Sequence, residues 1–95
     1  MITGKQRSYL KSLANNLTPL IQVGKNGVSD SLIEQIDVLL ENHELVKITV
    51  LQNSPVTAKE IVDEIIEGTG AEFVQQIGSK LTIYRESKEN KTIEI

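Results

Sequence analysis

The residues most suited to chemistry form a short loop of two glycines around a lysine and an asparagine: Gly24, Lys25, Asn26 and Gly27. Glycine adopts positive φ at little cost and has no Cβ, so another molecule's backbone can approach such a loop closely. A helix is predicted to begin just after the loop, and the first turn of a helix offers free N–H groups and partial positive charge. With Lys25 adding a cation, the arrangement suits an anion, most of all a phosphate group.

The same loop also fits a tight turn that needs two glycines and binds nothing, because motifs this short often match by chance. It lacks the Gly-x-x-x-x-Gly-Lys-Ser/Thr spacing of a loop that wraps a triphosphate. On the loop alone, an anion site and a simple turn both stay open.

Charge is distributed unevenly along the chain, whose net charge is −3. Residues 1–27 carry four cations and no acid, whereas residues 28–95 carry 13 acids against six bases. The four cations are Lys5, Arg7, Lys11 and Lys25. This asymmetry indicates one basic face directed at a polyanion and a remainder that is acidic and solvated, with chance clustering as the alternative.

The composition excludes several function classes. Without cysteine there are no disulfides, no Cys-based zinc sites and no thiol catalysis. The three aromatic residues, Tyr9, Phe73 and Tyr84, are too few for a platform that stacks on several bases. The N-terminus has no apolar signal region and no run of residues is long enough to span a bilayer, so we expect a cytoplasmic protein without a membrane partner.

Catalysis is weakly supported by the residues. The one histidine, His43, is predicted on the apolar side of a helix end, where a packed or C-capping role is commoner than a catalytic one. The acids are spread along helix faces with no pair that stands out as general acid and base. One histidine gives little from which to build a metal site. We therefore expect no enzyme activity, no metal and no cofactor.

The first half of the chain predicts helix, strand and helix. A capping box at Thr3–Gln6 begins a helix near Gly4, and Pro19 ends it. Leu20–Val23 is predicted to be a strand. Ser29 or Asp30 then caps a second helix. The apolar stripe of that helix is Leu32, Ile36, Leu39, Leu40 and His43.

The second half predicts strand, helix and hairpin. The near-continuous apolar stretch Leu45–Leu51 is typical of a central strand. A second capping box, Thr57–Glu60, opens the third helix. Glu72–Ile77 and Lys80–Arg85 are predicted strands joined by a two-residue turn. The first two strands flank a helix and should be parallel, which gives a single compact α/β (α+β) domain of order α-β-α-β-α-β-β, with a small four-stranded mixed sheet packed by helices.

Five short motifs resemble the CRM domain (chloroplast RNA splicing and ribosome maturation), above all its stand-alone bacterial form, the YhbY-like proteins. They occur in the family's order and spacing between residues 2 and 86 and are Leu17–Pro19, Val23–Val28, His43–Ile48, Gln76–Gly78 and Leu81–Arg85.

The resemblance implies a fold similar to the C-terminal domain of translation initiation factor 3. It also implies RNA binding through the Gly-x-x-Gly loop and adjoining basic surface, in precursors of the large ribosomal subunit. By resemblance, the RNA-contacting loop is residues 24–27, and further contributors are Lys5, Arg7, Lys11 and Arg85. Whether Lys47 and Lys80 belong to this surface stays open. The domain is expected over residues 1–86, followed by a polar tail over residues 87–95.

Three functions remain open at this point. The leading expectation is a non-catalytic RNA-binding protein of ribosome assembly. The second is an adaptor that uses its acidic surface to dock on ribosomal proteins or assembly factors. The third is a sensor of a small phosphoanion or nucleotide.

Overall fold

The structure, a computed structural model, describes residues 2–95, and within them it has three helices and one four-stranded sheet. The elements are α1 Gly4–Ala14, β1 Ile21–Val23, α2 Asp30–His43, β2 Leu45–Val50, α3 Val62–Thr69, β3 Glu72–Ile77 and β4 Lys80–Tyr84. The predicted fold class and element order are confirmed. Strands β1, β2 and β4 are each one residue shorter than predicted.

Helix α1 begins where its capping box predicts. The Thr3 hydroxyl accepts from the Gln6 amide at 3.1 Å, and the Gln6 side chain accepts from the Thr3 amide at 2.8 Å. These bonds satisfy amides that have no partner within the helix. The helix ends at Ala14 with Asn15 as C-cap, earlier than the proline that was expected to end it.

The sheet has the strand order β1-β2-β4-β3. Strand β2 is central: it pairs in parallel with β1, with Val50 opposite Val23, and antiparallel with β4, with Thr49 opposite Lys80. Strands β3 and β4 form the predicted hairpin, in which Gly78 has a φ of 58°. The predicted parallel pairing and central strand are both confirmed.

Three connections meet at one end of this sheet, which we call the loop end and define as residues 24–29, 51–57 and 78–79. Strands β1 and β2 both finish there, and β4 starts there because it runs antiparallel to β2. The Val50 amide donates to the Ser79 carbonyl oxygen at 2.7 Å, which ties the hairpin to the end of β2. The glycine loop therefore lies at the same end of the sheet as the hairpin turn.

The two faces of the sheet bury separate cores. Helices α2 and α3 cover one face with a large aliphatic cluster that contains Ile36, Leu40, Ile48, Ile61, Ile65, Leu81 and Ile83. Helix α1 covers the other, which we call the α1 face, and its smaller cluster contains Ile2, Leu10, Ala14, Leu45, Val74 and Tyr84. Since side chains alternate along a strand, Lys47 and Thr49 lie on the α1 face with Leu45.

Two details of the helices correct the predictions. His43 is exposed, whereas the buried residues of α2 are Leu32, Ile36 and Leu40. The prediction was wrong because α2 ends at His43, where the chain turns away into β2. The capping bonds of Thr57 and Glu60 do form, but residues 58–61 make a turn and regular helix starts only at Val62.

The C-terminal residues 87–95 pack against the end of α2. The buried Glu44 carboxylate accepts from the amides of Ser87, Thr92 and Ile93 at 2.6 to 2.8 Å. Glu41 accepts from the Ser87 hydroxyl at 2.7 Å and from two further amides of the segment. The Ile93 side chain joins the smaller core. The carboxylates of Glu41 in α2 and of its C-cap residue Glu44 thus hold the last residues of the chain in place.

Candidate nucleic-acid interface

The glycine loop is a hydrogen-bonded turn. The Gly27 amide donates to the Gly24 carbonyl oxygen at 3.0 Å, which places Lys25 and Asn26 at the exposed tip. The amides of these two tip residues make no hydrogen bond to any of residues 2–95. Two exposed backbone donors and one lysine are therefore presented together, which is the donor set that an oxyanion requires.

The two glycines of the turn are needed for different reasons. Gly27 has a φ of 62°, and a Cβ there would lie 3.4 Å from the Pro55 ring, so the turn itself requires this glycine. Gly24 is outside the positive-φ region, and a Cβ there would make only ordinary contacts, at 3.9 Å or more, with Leu51 and Asn53. The backbone conformation of the turn therefore explains why residue 27 is glycine, but it does not explain why residue 24 is glycine.

Helix α2 begins directly behind the turn. Its N-cap is Ser29, whose hydroxyl accepts from the Leu32 amide at 3.1 Å. Asp30 opens the first turn of the helix and is exposed. A carboxylate here offsets part of the positive end of the helix dipole. The exposed amides of the turn and Lys25, more than the helix end, are therefore the groups that favour an anion.

The three cations of α1 lie along the helix rather than beside the glycine turn. Its N-terminal end lies at the far end of the sheet, where the Ile2 amide donates to Glu72 at 3.0 Å. Arg7 reaches the edge strand, and its Nε donates to the Phe73 carbonyl oxygen at 3.0 Å. Lys5 and Lys11 are exposed. The helix points toward the loop end, so Lys11 is nearer to that end than Lys5 or Arg7.

Arg85 lies far from the glycine turn and is engaged by α2 and α3. Its guanidinium pairs with the carboxylate of Asp37 in α2 and donates to the Thr69 carbonyl oxygen at 2.7 Å. It therefore links the end of β4 to α2 and α3, at the end of the sheet opposite the glycine turn. The N-terminus of α1 lies at that same end, but the Arg85 guanidinium is held on the side of the sheet that α2 and α3 cover.

The two lysines left open by the sequence both lie on the α1 face. The Lys47 ammonium donates to the Ala14 carbonyl oxygen at 3.2 Å, so it caps the C-terminus of α1. Lys80, opposite Thr49 at the start of β4, makes no ion pair within residues 2–95. Lys80 thus lies directly after the hairpin turn and adds a cation beside the loop end.

Acidic and basic residues occupy different parts of the molecule. Residues 1–29, 45–59 and 73–85 contain no acid, and residues 30–44 and 60–72 contain no Lys or Arg. The first set builds α1, the sheet apart from the first residue of β3, and the loop end. The second set contains both α2 and α3. Residues 86–95, which pack beside the α1 core through Ile93, are mixed, with three acids and two lysines. The loop end and the part of the α1 face next to it are therefore electropositive, and the outer surface of α2 and α3 is electronegative.

Sequence reasoning missed the role of Glu44, which is fully buried and has a φ of 65°. Burial works against the charged form, but the amide donors Ser87, Thr92 and Ile93 outweigh it, so the pKa of Glu44 is lowered from its ordinary 4.5. The only signal in the sequence was the position of Glu44 between a predicted helix and a predicted strand. A chain that reverses there at positive φ usually has glycine or asparagine at that position, so a glutamate is unusual.

The described residues hold no group of three or more His, Asp or Glu side chains arranged for a metal ion. A search of the same residues for a helix that is long and apolar enough to cross a membrane finds none.

The fold and the site together define a small α+β domain that presents a glycine turn and a lysine-bearing sheet face at one end of a mixed sheet. The model of the CRS1 / YhbY (CRM) domain matches residues 2–85, and the chain therefore belongs to the CRM domain family. The resemblance seen in the five sequence motifs is confirmed.

Bacterial relatives align with this chain over nearly their whole length. The chain is 46% identical to "Probable RNA-binding protein YqeI" of Bacillus subtilis, over 100% of this chain and 99% of that protein. It is 37% identical to an "RNA-binding protein" of Haemophilus influenzae, over 95% of this chain and 91% of that one. A solution structure from Staphylococcus aureus, described as a hypothetical protein and candidate RNA-binding protein, is 54% identical over 100% of this chain and 99% of that chain, with a TM-score of 0.83.

Proposed function

We propose that this protein binds RNA, with ribosomal RNA in precursors of the large ribosomal subunit as its target, and that it takes part in ribosome assembly without catalysing a reaction. The glycine turn holds the sugar-phosphate backbone through the amides of Lys25 and Asn26 and the Lys25 ammonium. Lys80 and Lys11 on the α1 face continue the attraction. Arg85 is left out of this surface because its guanidinium is engaged by Asp37 and Thr69.

One observation carries the proposal: the turn with two unused amides lies in the loop end, whose residues contain no acid. A polyanion meets attraction across the α1 face and the loop end and repulsion from α2 and α3. The printed names of the bacterial relatives support RNA as the ligand. The ribosomal target and the assembly role follow from the family resemblance.

A titration with fragments of large-subunit ribosomal RNA at several salt concentrations tests the proposal. About four to six phosphate contacts to a single strand give a slope of log affinity against log salt of roughly −3 to −4. The variant Lys25→Glu, Asn26→Asp places two carboxylates at the tip of the turn and should abolish most of this binding. A slope near zero for the wild type would contradict the electrostatic mechanism.

The matched control is Lys88→Glu, Asn90→Asp, which makes the same pair of changes at exposed positions of the C-terminal segment. Binding by this control should stay close to that of the wild type. If both variants lose binding equally, net charge alone accounts for the effect. The glycine turn would then not be the contact.

A second candidate function is an adaptor that docks on a ribosomal protein or assembly factor. The observation in its favour is the surface of α2 and α3, which carries acids without a single Lys or Arg and leaves Val38 59% exposed. Neutralising Glu34 and Glu64 to glutamine separates the two functions. RNA affinity should hold or rise if RNA is the ligand, whereas binding to a basic assembly factor should collapse if the acidic surface is the contact.

A further inference from the structure

The α1 face is only partly covered by α1, and the uncovered part is a cleft of about 400 Å³. Its floor is the part of β2, β4 and β3 that lies next to the loop end. The hairpin turn Gly78–Ser79 and the α1 C-cap Asn15 form its walls. Clefts of this size are typical of small-ligand sites.

We infer that this cleft receives one unstacked nucleotide of a single-stranded RNA whose backbone is held at the glycine turn. This inference rests on the proposed function and deepens it, because it names the class of RNA and a second contact. The base lies against Ile77, and its edge meets the side-chain amides of Asn15 and Gln75. The adjoining phosphate lies at Lys80.

The side chains of the cleft carry the right chemistry for a base. Asn15 and Gln75 line it, and neither side-chain amide is used in a hydrogen bond within residues 2–95. An amide side chain is both donor and acceptor, and such groups pair with the edges of bases. Two unused amides that face one cleft therefore favour a base over a bare phosphate.

An apolar surface stands beside these amides. Ile77 pairs with Lys80 at the end of the hairpin, so both side chains point to the α1 face. Its side chain is 65% exposed, the largest exposure among the large apolar residues of the described chain. Contact with the face of a base would remove this surface from water, and the free energy gained is proportional to the apolar area covered.

The two lysines of the cleft differ in whether their ammonium groups are already bound within the protein. The Lys47 ammonium is held by the Ala14 carbonyl oxygen, whereas Lys80 has no ion-pair partner within residues 2–95. No acid lines the cleft. A phosphate that follows the bound base therefore meets Lys80, with Lys47 adding longer-range attraction.

The position of the cleft relative to the turn determines the class of RNA. Three strand spacings, about 14 Å, separate β1 from β3, so a chain that contacts both sites crosses the sheet at its loop end. Bases inside an A-form duplex are stacked, and its deep, narrow major groove hides their edges from side chains. A single strand can reach both sites with a base exposed, and a duplex cannot.

The test compares binding of a single strand of roughly ten nucleotides with binding of the same strand in a duplex. This length is within the range that one OB fold, another small single-strand-binding domain, covers. The cleft variant is Gln75→Ala with Ile77→Ala. Its matched control is Gln35→Ala with Val38→Ala, an amide and an exposed valine on the electronegative helix α2. Thermal unfolding verifies that both variants fold. Amide NMR shifts of residues 75–80 report contact at the cleft directly.

The cleft variant should bind the single strand about fivefold more weakly, corresponding to the loss of about 1 kcal/mol of base contact, with duplex binding unchanged. The α2 control should bind both RNAs as the wild type does. Lys80→Ala should reduce the salt slope by about 0.7, the value of one phosphate contact on a single strand, while Lys59→Ala outside the cleft should not.

Two results would overturn the inference while leaving the proposed function in place. One is single-strand and duplex binding that respond equally to the cleft variant. The other is wild-type binding that shifts the amides of the glycine turn but not those of residues 75–80. If the wild type binds neither RNA, the proposed function and the inference both fail.

Discussion

The ammonium of Lys47 donates to the carbonyl oxygen of Ala14 at 3.2 Å and lies 3.5 Å from that of Leu17. A lysine in the middle of the central strand thus adds a charged donor to the last carbonyl oxygen of α1, which also accepts from the Leu17 amide at 3.0 Å. A cation at this position is also favoured by the helix dipole. The contact links α1 to the sheet and leaves the charge on the α1 face.

We expect Lys47→Met to lower the free energy of unfolding by about 1–2 kcal/mol, because the apolar stem is kept but the bonds to the carbonyl oxygens are lost. Urea denaturation measures the change. Lys80→Met, on the same face but without such a bond, should lower it by less than about 0.5 kcal/mol. Equal losses in the two variants would show that the cap contributes nothing.

Substitutions of the two glycines in the turn should separate an effect on folding from an effect on RNA binding. Gly27→Ala should destabilise the protein by about 1–2 kcal/mol, since its φ of 62° is unfavourable for any residue with a Cβ. Gly24→Ala should leave stability within about 0.5 kcal/mol of the wild type, because a Cβ fits there.

The same Gly24→Ala variant should nevertheless bind RNA about tenfold more weakly, since the added methyl group keeps a phosphate from the turn amides and one charge-assisted hydrogen bond is lost. RNA titration beside thermal unfolding measures both effects. Unchanged affinity would mean that the backbone of the ligand does not approach this glycine.

Substitution of Asp30 should strengthen RNA binding, whereas the glycine substitution weakens it. Asp30→Asn removes a carboxylate from the start of α2, behind the turn, and should tighten RNA binding about two- to fivefold at low salt. Glu34→Gln, one turn further along the helix, is the control and should have a smaller effect. Unchanged binding by the Asp30 variant would place the RNA away from this helix end.

The buried carboxylate Glu44 makes stability depend on pH. Its pKa is lowered in the folded state, so its contribution is fully present above the ordinary value of 4.5 and is lost as the pH falls through the lowered pKa. Glu44→Gln should reduce the unfolding free energy by about 2 kcal/mol at neutral pH, because hydrogen bonds to a charged acceptor are lost.

The difference between the wild type and Glu44→Gln should shrink as the solution is acidified below pH 4.5. Urea denaturation at a series of pH values follows it. Glu94→Gln, which changes an exposed acid of the C-terminal segment, is the control and should track the wild type. A difference that stays constant with pH would show that Glu44 acts through packing and not through its charge.

Sequence patterns predicted those features that depend on near neighbours. The Thr3–Gln6 capping box, the stripe of Leu32, Ile36 and Leu40, and the hairpin turn all rest on contacts within a few residues, and each is present. The parallel pairing of β1 and β2 also followed, because a strand-helix-strand unit has few possible arrangements.

The features that were missed depend on distant partners. Glu44 is separated by 43 to 49 residues from the amides that hold it, and Arg85 by 48 from Asp37. No local pattern marks such pairs. From the sequence, Glu44 is therefore interpreted as one more surface acid and Arg85 as a free cation. Lys47 stayed ambiguous for the same reason, since its partner is on α1, 33 residues away.

The separation of acids on α2 and α3 from cations on α1 and at the loop end gives the molecule a large dipole moment, although its net charge is only −3. In the field of a polyanion, a dipole experiences a torque as well as a force. The domain is therefore rotated before contact, so that most encounters begin with the cationic side leading. A small net charge of the wrong sign is then compatible with fast association, because orientation reduces the rotational search that limits docking.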